Sequence, residues 1–264
     1  MTQTLLSDIP KGRGRMDGKV VMVFGGGSVL PGWGNGKAAA VLYAVEGAKV
    51  VVVDQREAAA RETADLISGI SGAAIAAGAD AANEDDVARA VQLCVDTYGR
   101  VDVLHNNIGG QGTGRSLDNI TLQDWNETLA RNVTTAMLTT RQVVPLMTAR
   151  GGGAIVNISS IAAIRHLTVP TAVYATGKGA LTSFTQNIAL QHAKDGIRAN
   201  CVLPGYIDTP FINRTIGGRP NYEIKGFKSA EEYGAARNKV IPMGRMGTGW
   251  DVAYASLFLA SDEA

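Results

Sequence analysis

The chain has 264 residues, is 45% hydrophobic, and sets 25 Lys and Arg against 24 Asp and Glu. That length buries a sizeable core as one enzyme-sized α/β domain, and the balanced charge with no long basic run excludes an electrostatic footprint for nucleic acid or an anionic membrane. Two separated cysteines (Cys94, Cys201), no CxxC pair and three histidines without ligand spacing (His105, His166, His192) argue against a metal site.

In chain order, residues 1–15 read as an irregular arm without a long apolar core. No later segment reaches the ~18 apolar residues of a membrane span. The expectation is therefore a cytoplasmic protein with a small-molecule partner and buried thiols. VVMVF (20–24) reads as a strand, followed by the glycine-rich GGGSVLPGWGNGKAAA (25–40) opening into a helix, then by a second strand, KVVVVD (49–54). NEDDVARAVQLCVDTYG (83–99) has helical spacing, with Asn83 placed to cap its start and Gly99 to end it. VDVLHNN (101–107), AIVNIS (154–159) and RANCVL (198–203) complete the legible strands. Runs such as VVVV, apolar on both faces, predict strands covered by helices on each side. The architecture expected is α/β: a doubly wound parallel sheet, a Rossmann fold in three α/β/α layers, forming one domain over 16–264. Residues 211–245, broken by Gly217, Gly218, Pro220 and Pro242, read as an excursion that serves as a substrate lid.

Two stretches carry chemistry. Gly25, Gly34 and Gly36 follow a strand and precede a helix, where glycines let backbone amides approach a pyrophosphate at the helix N-terminus. Asp54 ends the next strand twenty positions after Gly34, the interval of a ribose-binding acid; a surface loop with a solvated acid is the structural alternative. VYATGKGAL puts Tyr174 and Lys178 four apart on one helical face. A free phenol has a pKa of ~10, and a nearby ammonium favours the phenolate. An isolated pair of this kind is also compatible with an amphipathic tyrosine beside a snorkelling lysine.

The glycine-rich turn, NNIG (106–109), Asn132 in a long helix, SS at 159 and 160, YATGK and PGYIDTP (204–210) together resemble the short-chain dehydrogenase/reductase family, from about Gly18 to the last residue. The resemblance implies Tyr174 as general acid-base and Lys178 as its electrostatic partner and a ligand of the nicotinamide ribose. It implies Ser160 as a donor to the substrate oxygen, and Asn132 as the link, through water, from Lys178 to solvent. It places Gly25, Gly34 and Gly36 at the cofactor phosphates, with Asn35 between them as a further cofactor-binding candidate, Asp54 at the adenosine ribose, and Asp80 with Ala81 near the adenine. Asn107 and Gly109 then line the way to the second ribose, and Pro204, Gly205, Ile207 and Thr209 the carboxamide end. Asp80 as a turn acid, Asn107 as a sheet-end hydrogen-bonder and Thr209 as a turn former stay open as plain alternatives.

NAD is the expected cofactor, because Asp54 would repel the 2′-phosphate of NADP; Arg56 and Lys37 keep NADP open. The expected reaction is hydride transfer to or from a secondary alcohol or ketone. The alternatives are a non-catalytic nucleotide-binding scaffold, or a lyase or epimerase using bound NAD. The Tyr-Lys spacing favours carbonyl chemistry over enoyl reduction, for which the family spaces the pair more widely. Phe211, Ile212, Tyr222, Phe227, Tyr233 and Met243 suggest an apolar lid, with Arg165, Arg214 and Arg219 as the few charges nearby.

Three departures from the family pattern stand out. Phe24 replaces a threonine, and nine positions separate Gly25 from Gly34, about five more than the family uses. SVLPGW is expected to bulge outward, stiffened by Pro31 and Trp33, with Ser28 as an extra phosphate donor. Fourteen positions separate Ser160 from Tyr174, one more than expected, which keeps Ser159 as a second candidate. The chain ends at FLASDEA, where the family continues into another strand. An unpaired sheet edge there would favour a homo-oligomer, tetramer or dimer.

Overall fold

The computed structural model describes residues 6–28, 30–110, 116–165, 171–213, 215–216 and 219–264, without the side chains of 211, 213, 215, 216 and 219. Of the expectations above, those for His166, Arg214, Gly217, Gly218 and the side chains of Phe211 and Arg219 lie outside the described residues.

Six parallel strands form the sheet: β1 (Val20–Phe24), β2 (Lys49–Asp54), β3 (Ala73–Gly78), β4 (Val103–Asn106), β5 (Gly153–Ile158) and β6 (Ile197–Val202), in the order β3-β2-β1-β4-β5-β6. This is the doubly wound sheet expected, and its order reverses between β1 and β4, where such sheets open a crevice. The register carries the strand ends to one edge, with Phe24 beside Val53 and Asn106, and Asn106 beside Asn157. The glycine turn, Asp54, Asn107 and Ser160 thus leave the sheet side by side.

Alternation along the strands splits the core into two layers. Val21 and Val23 pack with α1 (Asn35–Val45), α2 (Glu57–Gly69) and the last helix. Val20, Met22 and Phe24 pack with α3 (Glu84–Tyr98) and the helix after β4. α1 is buried from Gly36 to Ala44, so it reads apolar nearly all round rather than amphipathic. Within it, the buried Tyr43 hydroxyl meets His105 Nδ1 at 3.0 Å. Burial lowers the His105 pKa to about 3, which keeps the ring neutral. α3 starts where Asn83 accepts the amides of Asp85 and Asp86, and it ends at Gly99 with a φ of 76°, as the sequence predicts.

Beyond β4 lies α4 (Leu122–Leu129), then a π-helical turn over Ala130–Thr134, then α5 (Thr135–Ala149). α6 (Ala172–Gln191) carries Tyr174 and Lys178. After β6, the excursion holds β7 (Ile207–Asp208), the short antiparallel pair β8 (Thr215–Ile216) and β9 (Arg219–Pro220), α7 (Asn221–Ile224) and α8 (Ala230–Lys239). β10 (Gly247–Thr248) returns to pair with β7 and leads into α9 (Gly249–Ala260).

The described end of the arm is tied down at Arg13 and Arg15. The backbone amides of Arg13 and Arg15 donate to the buried Glu46 carboxylate, at 2.8 and 3.1 Å, and Arg15 pairs with Glu263. Among the described residues no helix is long and apolar enough to cross a membrane.

Candidate active site

A cavity of about 660 Å³ runs along the carboxyl edge of the sheet. Gly25, Ser28, Gly34, Asn35, Gly36, Asp54, Asp80, Ala81, Asn107, Gly109, Ser160, Tyr174, Lys178, Pro204, Gly205, Ile207 and Thr209 all line it. Asn132 does not, and stands one layer behind the wall.

The glycine turn is held from both sides. The amides of Gly25 and Gly26 donate to the Val53 carbonyl at 2.8 and 3.1 Å, and Thr63 Oγ1 donates to the Gly26 carbonyl at 3.1 Å. Asn107 Nδ2 donates to the Gly25 carbonyl at 3.0 Å, so its amide serves the turn as well as the wall. Only a residue without Cβ fits at position 36, where such an atom would lie 2.0 Å from the Gly25 carbonyl oxygen. No side chain caps the start of α1, and Asn35 Oδ1 is buried without a partner among the described residues. An uncapped helix N-terminus on a glycine turn fits a pyrophosphate.

Among the described inserted residues, Leu30 and Pro31 are exposed and Trp33 is half-buried. Trp33 packs on Trp250 of α9 with ring centroids 4.5 Å apart, and its Nε1 donates to Asp8 at 3.1 Å. Ser28 Oγ donates to the Leu30 carbonyl at 2.6 Å, so its one proton is already committed within the loop. Lys37, read from sequence as a possible phosphate partner, is buried against Glu62 at 2.8 Å and does not line the cavity. The cause is its place on the far side of α1, under Trp33.

Asp54 sits at the end of β2 with its carboxylate accepting the amides of Gly27 (3.2 Å) and Arg56 (3.0 Å). Arg56 reaches back to the Ser28 carbonyl at 2.7 Å. Asp80 accepts the Ala82 amide at 2.9 Å and Gln55 Nε2 at 3.2 Å, making it a turn acid as well as a wall residue.

At the other end, Lys178 Nζ donates to the Ile158 carbonyl at 2.7 Å, and Ser159 Oγ donates to the Lys178 carbonyl at 2.9 Å. These two bonds fasten β5 to α6. They also turn the Ser159 hydroxyl toward the helix, whereas Ser160 caps the short turn after it by accepting the Ala162 amide at 3.2 Å. Tyr174 is half-buried one helical turn before Lys178. Asn132 lies in the π-helical turn, a distortion that frequently marks functional sites. Its amide holds both backbone groups of Gly110 and the Thr128 carbonyl, at 2.8–3.1 Å. Asn132 and Lys178 converge on Gly109, where a Cβ would lie 2.9 Å from Asn132 Oδ1 and 2.6 Å from Lys178 Nζ.

Loss of water lowers the Lys178 pKa from 10.5 to about 8. Below pH 8 both native and unfolded chains carry the proton, and the burial penalty is fully present. Between about 8 and 10.5 the native state releases a proton that the unfolded chain keeps, so stability rises with pH. Urea unfolding of the cofactor-free protein is expected to show wild type gaining roughly 3 kcal/mol relative to Lys178→Met from pH 7 to the top of that window. Parallel pH profiles for the two proteins would refute the assignment.

Sequence reasoning missed several wall residues: Gln55, Glu127, Arg131, Tyr206 and Arg237. It also missed a buried chain of hydrogen bonds beneath the floor, from Thr139 to Asn106, Asn106 to Asn157, and Asn157 to Thr185, each 2.8 Å. The asparagines inside apolar strands were the available signal, since buried amides need partners.

A family model described as Enoyl-(Acyl carrier protein) reductase matches residues 32–264. The chain is 36% identical over 248 residues to an uncharacterized oxidoreductase of Thermotoga maritima, covering 94% of this chain and 92% of that one. It is 34% identical over 250 residues to a cyclohexanol dehydrogenase of Acinetobacter sp., covering 95% and 90%. The solved structure of a 7α-hydroxysteroid dehydrogenase complexed with NADH and 7-oxo glycochenodeoxycholic acid superposes with a TM-score of 0.80 at 30% identity, covering 94% and 89%.

Proposed function

We propose that this chain, which belongs to the short-chain dehydrogenase/reductase family of oxidoreductases, interconverts a secondary alcohol and its ketone with NAD as hydride carrier. The observation that supports this most is the joining of Ser160, Tyr174 and Lys178 to Asp54 and the uncapped start of α1 by one continuous cavity. Cyclohexanol and a hydroxysteroid, the compounds named for two relatives, are both secondary alcohols. The four-residue Tyr174–Lys178 spacing favours carbonyl chemistry, although the matching family model is described by enoyl reduction.

When bound, the nicotinamide supplies or accepts the hydride. The protein holds the substrate and manages the proton. In the oxidative direction the Tyr174 oxygen would take the hydroxyl proton as hydride leaves the carbon bearing that hydroxyl; in reduction it would return a proton to the carbonyl oxygen. Ser160 donates to this oxygen, and two donors aimed at it stabilise the charge that builds in the transition state more than the ground state. Lys178 favours the charged form of Tyr174, and Asn132 passes the proton onward through water. Asp54 accepts the adenosine ribose hydroxyls and repels a 2′-phosphate, which favours NAD over NADP. Residues 211–245 cover the substrate. On this reading copies of the chain associate into a homo-oligomer.

The test is nicotinamide absorbance across a panel of secondary alcohols and ketones with NAD and NADP. Turnover with NAD, weaker with NADP, is expected. Absence of turnover with every compound and both cofactors overturns the reading.

A further inference from the structure

Arg237 leaves α8 and lines the reaction end of the cavity, half-buried. Its guanidinium carbon lies 4.8 Å from the centroid of the Tyr206 ring and 5.4 Å from that of Tyr233, and Phe227 packs behind Tyr233 at 5.1 Å. Nε donates to Met246 Sδ at 3.0 Å, Nη1 to the Tyr233 hydroxyl at 3.3 Å and Nη2 to the Ile207 carbonyl at 3.4 Å. These acceptors are neutral and the last two bonds are long. Two of the five guanidinium N–H groups are left unclaimed among the described residues.

Several other basic residues pair with acids, Arg15 with Glu263, Lys37 with Glu62 and Arg100 with Asp102, and Lys178 and Arg198 are held by backbone carbonyls at 2.7–2.8 Å. Arg237 pairs with no acid among the described residues. A cation withdrawn from water without an anion is costly, and two aromatic faces offset only part of that cost. The rings also fix the plane of the guanidinium, and a fixed planar fork is matched by a carboxylate, which accepts two parallel N–H bonds. The wall around it has the same bias. Apart from Asp54, Arg56 and Asp80 at the adenosine end, the charged residues lining the cavity are Arg131, Lys178 and Arg237 against Glu127 alone.

We propose that Arg237 is a specificity-determining residue that binds a carboxylate on the substrate, so that the substrate class is a hydroxy- or oxo-carboxylate whose reacting carbon is separated from the acid by a short apolar chain. This rests on the dehydrogenase reading above. Ile212 and Pro210, beside Tyr206 on the same wall, suit the apolar link.

The experiment uses methyl-ketone carboxylates of increasing chain length, each beside its methyl ester, so that each pair differs in charge at one end. Binding is measured by calorimetry to the full chain loaded with oxidised NAD, with which a ketone does not react. At the best chain length the acid is expected to bind about ten-fold or more tightly than its ester. In Arg237→Gln that preference should vanish, while the ester and NAD bind within about two-fold of wild type. Equal binding of acid and ester at every length in wild type overturns the proposal whether or not the variant folds. So does a preference that survives in Arg237→Gln. Reduction of esters by NADH with no advantage for acids leaves the dehydrogenase reading standing and removes the proposal. An Arg237-dependent acid preference without any reduction keeps the carboxylate site and removes the dehydrogenase reading. Failure to bind NAD removes both.

Discussion

Tyr174→Phe is expected to lower kcat by ~10²–10⁴-fold while changing nicotinamide affinity little, because it deletes the proton-transferring oxygen and leaves the ring in place. The loss should appear equally in kcat and kcat/KM, the signature of an interaction made in the transition state. Steady-state rates in both directions, with cofactor affinity measured separately by titration, test this. The neighbouring geometry explains why another side chain is not expected to substitute. Ser159 gives its hydroxyl proton to the Lys178 carbonyl, and the ammonium of Lys178 is turned to the Ile158 carbonyl. Ser160 lines the same cavity, and an aliphatic hydroxyl is a poorer acid than a phenol. A Tyr174→Phe enzyme with undiminished rate would overturn the proposed acid-base role.

The second large effect is expected at Gly36. In Gly36→Ala the new methyl group would stand 2.0 Å from the Gly25 carbonyl oxygen and 2.6 Å from Asn107 Nδ2, far inside van der Waals contact. Neither neighbour yields cheaply, since one is backbone and the other is bonded to that same carbonyl. Either α1 retreats from the turn or the turn opens, and both outcomes separate the helix amides from the position of the phosphates. A loss of ~2–3 kcal/mol or more in stability is expected from overpacking, together with a loss of nucleotide affinity of at least about ten-fold. Gly69→Ala is the matched control, because a methyl group there meets nothing within 4 Å. In thermal unfolding with and without NAD, the control should behave like wild type. A Gly36→Ala protein with wild-type melting and NAD-dependent stabilisation would remove the glycine turn from the cofactor site.

Much of the fold was legible because β1, β2 and β5 are rich in β-branched residues, and because the caps of α3 use the residues that capping chemistry prefers. β3 was not, for a definite reason. Its sequence is AAIAAG, which favours a helix locally, and its strand state is imposed by pairing along β2 from Lys49 to Asp54. The residues from Gly25 to Thr209 line one cavity because strand ends converge on one edge wherever the sheet is parallel and doubly wound. Lys37 was misplaced because helix phase is hard to read in a helix buried on nearly every side. The π-helical turn at Asn132 leaves no mark in residue type. Arg237 was invisible for a different reason: what sets it apart is its place between two tyrosine rings on the cavity wall, which only tertiary structure reveals.

The contact between Trp33 and Trp250 has one more consequence. Two of the three tryptophans in the chain sit with their indoles 4.5 Å apart and tilted by 52°, one just before α1 and the other in α9. Indoles so close couple their electronic transitions, so the pair is expected to contribute to the near-ultraviolet circular dichroism of this protein. The lengthened loop therefore carries its own optical gauge: any ligand that shifts the loop against the final helix registers in the spectrum without an added label.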